Sequence, residues 1–153
     1  MGEATLVETA GEELEGMRTV RLRVPARPEY VALARLALTG LADIVTLADE
    51  QLADLKLALT EAVSNSVRHA YADGAGFVAI AYELSGDALA VEVVDDGKGF
   101  DPERPPPLEG EELTEGGLGI AIIRTIADEF ELQSQPGIRG SRLRFMKRLQ
   151  RPA

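Results

Sequence analysis

The stretch from Leu57 to Tyr71, LALTEAVSNSVRHAY, constrains this chain more than any other. Leu55, Ala58, Leu59, Ala62, Val63 and Val67 recur at three- and four-residue intervals, which predicts a helix with one broad apolar face. Glu61, Asn65 and His69 fall four residues apart, so on that helix they stack along a second, polar face. Read alone, such a face is either solvated surface or the carrier of chemistry. A fold built round this helix must cover its apolar side and leave the polar side reachable.

The flanking sequence supplies the covering elements. Residues 1–16 are rich in Glu and Gly and develop no periodicity, so a flexible acidic extension is expected there, with a single domain over 17–150. From Met17 to Pro25, Val20, Leu22 and Val24 alternate with Thr19, Arg21 and Arg23, the period of a half-buried strand. The two outward arginines suit solvent, a sheet edge or a dimer contact. Pro28 opens a first helix with an apolar stripe to about Leu47. Asp49 then stands as a cap for the second helix, which carries Glu61 and Asn65 and stops near Asp73-Gly74.

Phe77 to Leu84 and Ala88 to Val94 flank Ser85-Gly86-Asp87, which predicts a hairpin. Four prolines between Pro102 and Pro107 and five acids between Glu103 and Glu115 follow, a composition that forms no core of its own, so residues 101–115 are expected to be a mobile lid. GGLGIAIIRTIADEF reads as glycines opening a third helix with Leu118, Ile122, Ile123 and Ile126 inward. Strands near Phe130 to Gln133 and Ser141 to Leu149 close the chain. This order of elements supports a two-layer α+β fold.

Composition removes several chemistries. With no cysteine and one histidine in 153 residues, thiolate sites, disulfides and histidine metal clusters are excluded, and any metal is a hard cation held by oxygens. A net charge of -10 argues against direct nucleic-acid binding and suits a basic partner protein. The acidic N-terminus is unlike a signal peptide, and no apolar run reaches the roughly eighteen residues of a membrane span, so a cytoplasmic protein without membrane contact is expected.

Two glycine clusters remain. Asp95-x-Gly97-x-Gly99 after a strand is either a tight turn or a site where the carboxylate accepts from an exocyclic amine while the glycines admit a flat ring such as adenine. Gly116-Gly117-Leu118-Gly119 before an apolar helix is either a hinge or a phosphate cradle of free amides at a helix N-terminus. Neither cluster meets the Walker or the dinucleotide-binding pattern.

Glu61-x-x-x-Asn65, Asp95-x-Gly97-x-Gly99, Gly117-x-Gly119 and Gly140-Ser141, in this order, resemble the N box and the three glycine boxes of the GHKL ATP-binding superfamily. Within it, EAVSNSVRHAY, VVDDGKGFDP and EGGLGIAII are similar to anti-sigma factor serine kinases of the RsbW and SpoIIAB type. The resemblance runs in outline from about Val20 to Leu149. It implies a two-layer α/β sandwich of mixed, mostly antiparallel sheet with helices on one face. It further implies that Asn65 supplies an oxygen to Mg²⁺ and that Glu61 is the general base of phosphoryl transfer from ATP. Asp95 reads adenine, Gly97 and Gly99 make room for the ring, Gly117, Leu118 and Gly119 hold phosphates, and Ser141 supports the adenine end. The resemblance also puts Arg68 and His69 at the phosphate end, where either would touch ATP, with a structural hydrogen bond as the alternative for His69.

The lone histidine lies inside the N-box helix, which argues against autophosphorylation on histidine, and the chain leaves no room for the added domains of gyrase or the chaperones. The resemblance therefore implies a serine/threonine protein kinase that binds a sigma factor and phosphorylates a STAS-type anti-anti-sigma protein, as a homodimer, with Arg35 on the partner surface. A nucleotide-gated binding protein without transfer activity, and a switch kinase that binds no sigma factor, are the alternatives.

Overall fold

A computed structural model describes residues 5–9, 18–45, 47–70, 76–97, 117–134 and 140–149. Six strands form one sheet in the order β1-β2-β3-β4-β6-β5. They are β1 Thr5–Thr9, β2 Arg18–Pro25, β3 Phe77–Leu84, β4 Ala88–Asp95, β5 Glu129–Gln133 and β6 Ser141–Arg148. All five pairings are antiparallel, so the sheet has no parallel component among the described residues. Three helices, α1 Val31–Val45, α2 Asp49–Ala70 and α3 Gly117–Ile126, complete the α+β sandwich.

Period-two alternation decides which side of the sheet they cover. Leu22 and Val24 on β2, Val78, Ile80, Tyr82 and Leu84 on β3, Leu89, Val91 and Val93 on β4, and Leu143 and Phe145 on β6 share one face in register and are all buried. Leu55, Ala58, Leu59, Ala62, Val63 and Val67 of α2 meet them, as the spacing predicts. α2 packs against both α1 and α3 and over β4, β6 and β3. Tyr82 donates its hydroxyl proton to the carbonyl of Ala34 at 2.7 Å, tying β3 to α1, and burial pushes its phenol well above the ordinary range.

The opposite face is polar. Arg142 on β6 pairs with Glu92 of β4 at 2.8 Å and Glu131 of β5 at 3.6 Å, both on neighbouring strands, and Arg144 reaches past β4 to Glu83 of β3 at 3.0 Å. Arg23 lies over the Phe77 ring, 3.6 Å from its centroid.

Four expectations need correction. Within the N-terminal segment read as a flexible extension, Thr5–Thr9 pairs antiparallel with β2 and forms the sheet edge, so β2 is not an edge strand, while Arg21 and Arg23 stay exposed on its outer face. The other residues of 1–16 lie outside the described residues. The first helix is preceded by a short 3-10 turn over Pro28–Tyr30, because the proline fixes the first turn without an amide to donate. Asp49 is the first residue of α2 rather than its cap; it still places a negative charge at the positive end of the helix. Leu118 is half exposed, not inward, and the buried ridge of α3 is Ile120 and Ile123, with Ile122 and Ile126 partly covered.

Candidate active site

The site is framed by the C-terminal end of β4, the start of β6, the polar face of α2 and the first turn of α3. Asp95 closes β4 opposite Ser141, the first residue of β6, and both are buried. Its Oδ1 accepts from the Gly97 amide at 3.0 Å, a short Asx turn that folds the chain away from the strand. Its Oδ2 accepts from the Ser141 hydroxyl at 2.5 Å. The amide of Gly140 donates to the Gly97 carbonyl at 2.6 Å and binds the two loops together.

Gly140 is needed where it stands. Its φ of +92° is left-handed, and a Cβ there would come to 3.3 Å from the Asp95 carbonyl oxygen. Ionised aspartate offers about four lone-pair directions, so two remain after these bonds for an amine donor on a ligand. Gly97 is buried beside the carboxylate, and Gly99 lies outside the described residues.

α2 packs on β4 and β6, the strands that carry Asp95 and Ser141, and its polar face holds Asn65 and Glu61. Asn65 is 3% exposed, and its Oδ1 has no hydrogen-bond partner among the described residues. An orphaned buried acceptor costs about 1–3 kcal/mol, so a fold retains one where something outside the chain completes it. A neutral oxygen suits a hard cation such as Mg²⁺, which takes oxygen ligands and keeps several waters. The donor set therefore fits a metal that arrives with a phosphate ligand. Among the described residues no group of three His, Cys, Asp or Glu could cage a metal by itself.

Glu61, one turn before Asn65, is partly buried and reaches toward α3, where its carboxylate lies against Gly119. Gly117, Leu118 and Gly119 form the first turn of α3, where backbone amides have no partners within the helix. Arg68 is exposed near the end of α2, and the side chain of His69 and the expected lid over 101–115 lie outside the described residues. The structure thus brings Asp95, Gly97 and Ser141 into one cluster and Glu61, Asn65 and Gly119 onto neighbouring helix faces. Gly140 was quoted in the sequence only as part of a box; its positive φ is the feature that identifies its role.

The sequence pattern of the histidine kinase-like ATPase domain matches residues 24–147, which takes in every one of these groups. The chain belongs to that family. Family relatives include the serine-protein kinase RsbW of Bacillus pumilus (strain SAFR-032), 35% identical over 145 residues that cover 88% of this chain and 90% of that protein. RsbW of Bacillus subtilis (strain 168) is 37% identical over 128 residues, 78% of this chain and 80% of that one. In fold, the chain resembles the crystal structure of the RsbU and RsbW domains of Rv1364c from Mycobacterium tuberculosis, with a TM-score of 0.66 at 22% identity over 88% of this chain and 33% of that one. No helix among the described residues is long and apolar enough to cross a membrane.

Proposed function

We propose that this chain is an ATP-dependent serine/threonine protein kinase that acts as an anti-sigma factor in the cytoplasm. The observation that carries the reading is Asn65, a buried oxygen acceptor without a partner, one helical turn from the carboxylate of Glu61. Family membership and relatives named serine-protein kinases support it.

In this reading Asp95 accepts the adenine amine on the lone pairs that Gly97 and Ser141 leave free. Gly97 and Gly99 admit the ring. The amides of Gly117, Leu118 and Gly119 face the phosphates, with Arg68 and His69 at the same end and residues 101–115 as the lid. Asn65 would hold Mg²⁺ through Oδ1. An ion held there would supply positive charge to offset that of the phosphate oxygens.

Glu61 then takes the proton of the acceptor hydroxyl as its oxygen bonds to the γ-phosphorus. The bond from that phosphorus to the ADP oxygen breaks, and ADP leaves with the electron pair. The acceptor is a serine or threonine on a STAS-type anti-anti-sigma protein.

The partner surface in this reading lies on α1. Leu36 and Ile44 are 67% and 62% exposed, large values for apolar side chains, and both stand on α1 with Gly40 midway between them. A Cβ at Gly40 would meet nothing within 4 Å, so the gap admits a partner's side chain between two apolar knobs. Arg35 is exposed beside them. A sigma factor and the antagonist compete for this surface, and the kinase works as a homodimer.

Calorimetry of ATP binding with and without Mg²⁺, on wild type and Asn65→Ala, tests the site. Magnesium-dependent binding that Asn65→Ala weakens is the expected result. Absence of binding in both proteins overturns the kinase and leaves a nucleotide-independent partner-binding protein.

A further inference from the structure

Gly119, the third residue of α3, borders the side chain of Glu61 along its length. A Cβ built on Gly119 would stand 2.6 Å from Oε2, 3.6 Å from Cδ and 3.7 Å from Cβ of Glu61. The carboxylate therefore occupies the gap that the missing methyl leaves. Backbone conformation does not require glycine here, because residue 119 is helical and the left-handed glycines among the described residues are Gly76 and Gly140. Glycine inside a helix is destabilising relative to alanine. At Gly40 nothing fills the corresponding space, whereas at Gly119 one specific acid does.

We propose that Gly119 is a positioning residue for phosphoryl transfer, which by withholding a side chain fixes where the Glu61 carboxylate ends. The proposal rests on the reading of Glu61 as the base. It is separate from phosphate binding by the α3 amides, since alanine at position 119 keeps its N–H. A methyl group at 119 leaves one easy escape. The backbone of α2 is held by Ala62 and Val63, which are 1% and 0% exposed, so the flexible end of Glu61 swings away while the fold stays. Displacing a reacting group by about 1 Å costs on the order of 100-fold in rate.

The test uses the full chain as wild type, Gly119→Ala, Glu61→Asp, Glu61→Ala and the two double variants. Calorimetry reads MgATP affinity, and single-turnover transfer of labelled γ-phosphoryl to a purified STAS-domain protein from the same genome reads chemistry. Gly119→Ala is expected to slow transfer by about 10–100-fold with MgATP affinity preserved. Glu61→Asp, one methylene shorter, is expected to slow the wild type yet speed up Gly119→Ala, because the shorter acid fits back beside the methyl. In the Glu61→Ala background, Gly119→Ala should change nothing further. Equal loss of affinity and rate in Gly119→Ala, an undiminished rate, or additivity with Glu61→Ala each overturns the proposal. The ¹³C resonance of Glu61 Cδ reports the contact itself and should move in Gly119→Ala. If it stays while Glu61→Ala abolishes transfer, the positioning role fails alone; if Glu61→Ala leaves transfer intact, the base reading fails.

Discussion

Asp95, Gly97, Gly140 and Ser141 hold one another by hydrogen bonds, whereas at the α2–α3 end the buried Oδ1 of Asn65 has no partner among the described residues. The first cluster is fixed by the sheet, because Asp95 and Ser141 face each other across β4 and β6 and their register admits no slippage without turning the core outward. The second sits where α2 packs against α3, with the Glu61 carboxylate against Gly119. One end is rigid and self-sufficient; the other is incomplete and crowded. In the proposed reading, such a site would recognise the base with groups already in place and complete its chemistry when the phosphates arrive.

Four substitutions can break or sharpen that contrast. If Glu61 is the base, Glu61→Gln removes it and keeps the shape, so phosphoryl transfer should fall by about 10²–10⁴-fold with ATP affinity unchanged. Parallel losses in the two measurements would place Glu61 in binding instead. Asp95→Asn weakens charge-assisted bonds at the rigid end, so both ATP affinity by calorimetry and stability in urea should drop, each by about 1.5–3 kcal/mol. Full ATP affinity in that variant would remove Asp95 from adenine recognition.

Asn65→Leu should behave oppositely in stability. It deletes an unsatisfied acceptor at similar volume, so urea unfolding should show a gain of up to about 1–3 kcal/mol while the magnesium dependence of ATP binding disappears. A loss of stability as large as that of Asp95→Asn would erase the contrast between the two ends.

Tyr82→Phe, remote from both ends, is the smallest change, about 1 kcal/mol for the hydrogen bond to Ala34. Its pH signature is specific. The folded-state phenol is raised above the unfolded value of about 10. The folded protein therefore retains the proton that the unfolded chain releases, so wild-type stability falls as pH rises above about 10. Tyr82→Phe should lack that component of the slope in unfolding curves taken across that pH.

Much of this architecture is legible residue by residue. The periodicities of α2 and of β2 to β4 locate the core, because burial on one face imposes 3.6- and 2-residue repeats wherever the elements occur. The hairpin turn at Ser85-Gly86-Asp87 is equally local: the Ser85 amide bonds the Ala88 carbonyl at 3.0 Å. β1 was not legible, because Thr5–Thr9 is a short edge strand amid Glu and Gly, and its pairing with β2 comes from a neighbour. Leu118 misled for a related reason. An apolar residue in the first turn of a helix faces the core only if the helix docks that way round, and α3 docks on Ile120 and Ile123.

The sequence by itself determined where the candidate site residues fall within their elements: Glu61 and Asn65 share a helix face through i and i+4 geometry, and Asp95 ends a strand beside a glycine turn. Those relations lie within a few residues and follow from backbone geometry alone. Only the tertiary structure decided that Ser141 bonds Asp95, that Asn65 Oδ1 is left without a partner, and that Gly119 yields its space to Glu61. Each of these joins residues far apart in the chain or depends on what the packed neighbours fail to supply. Such facts arise from how the helices dock on the sheet, which local periodicity cannot encode.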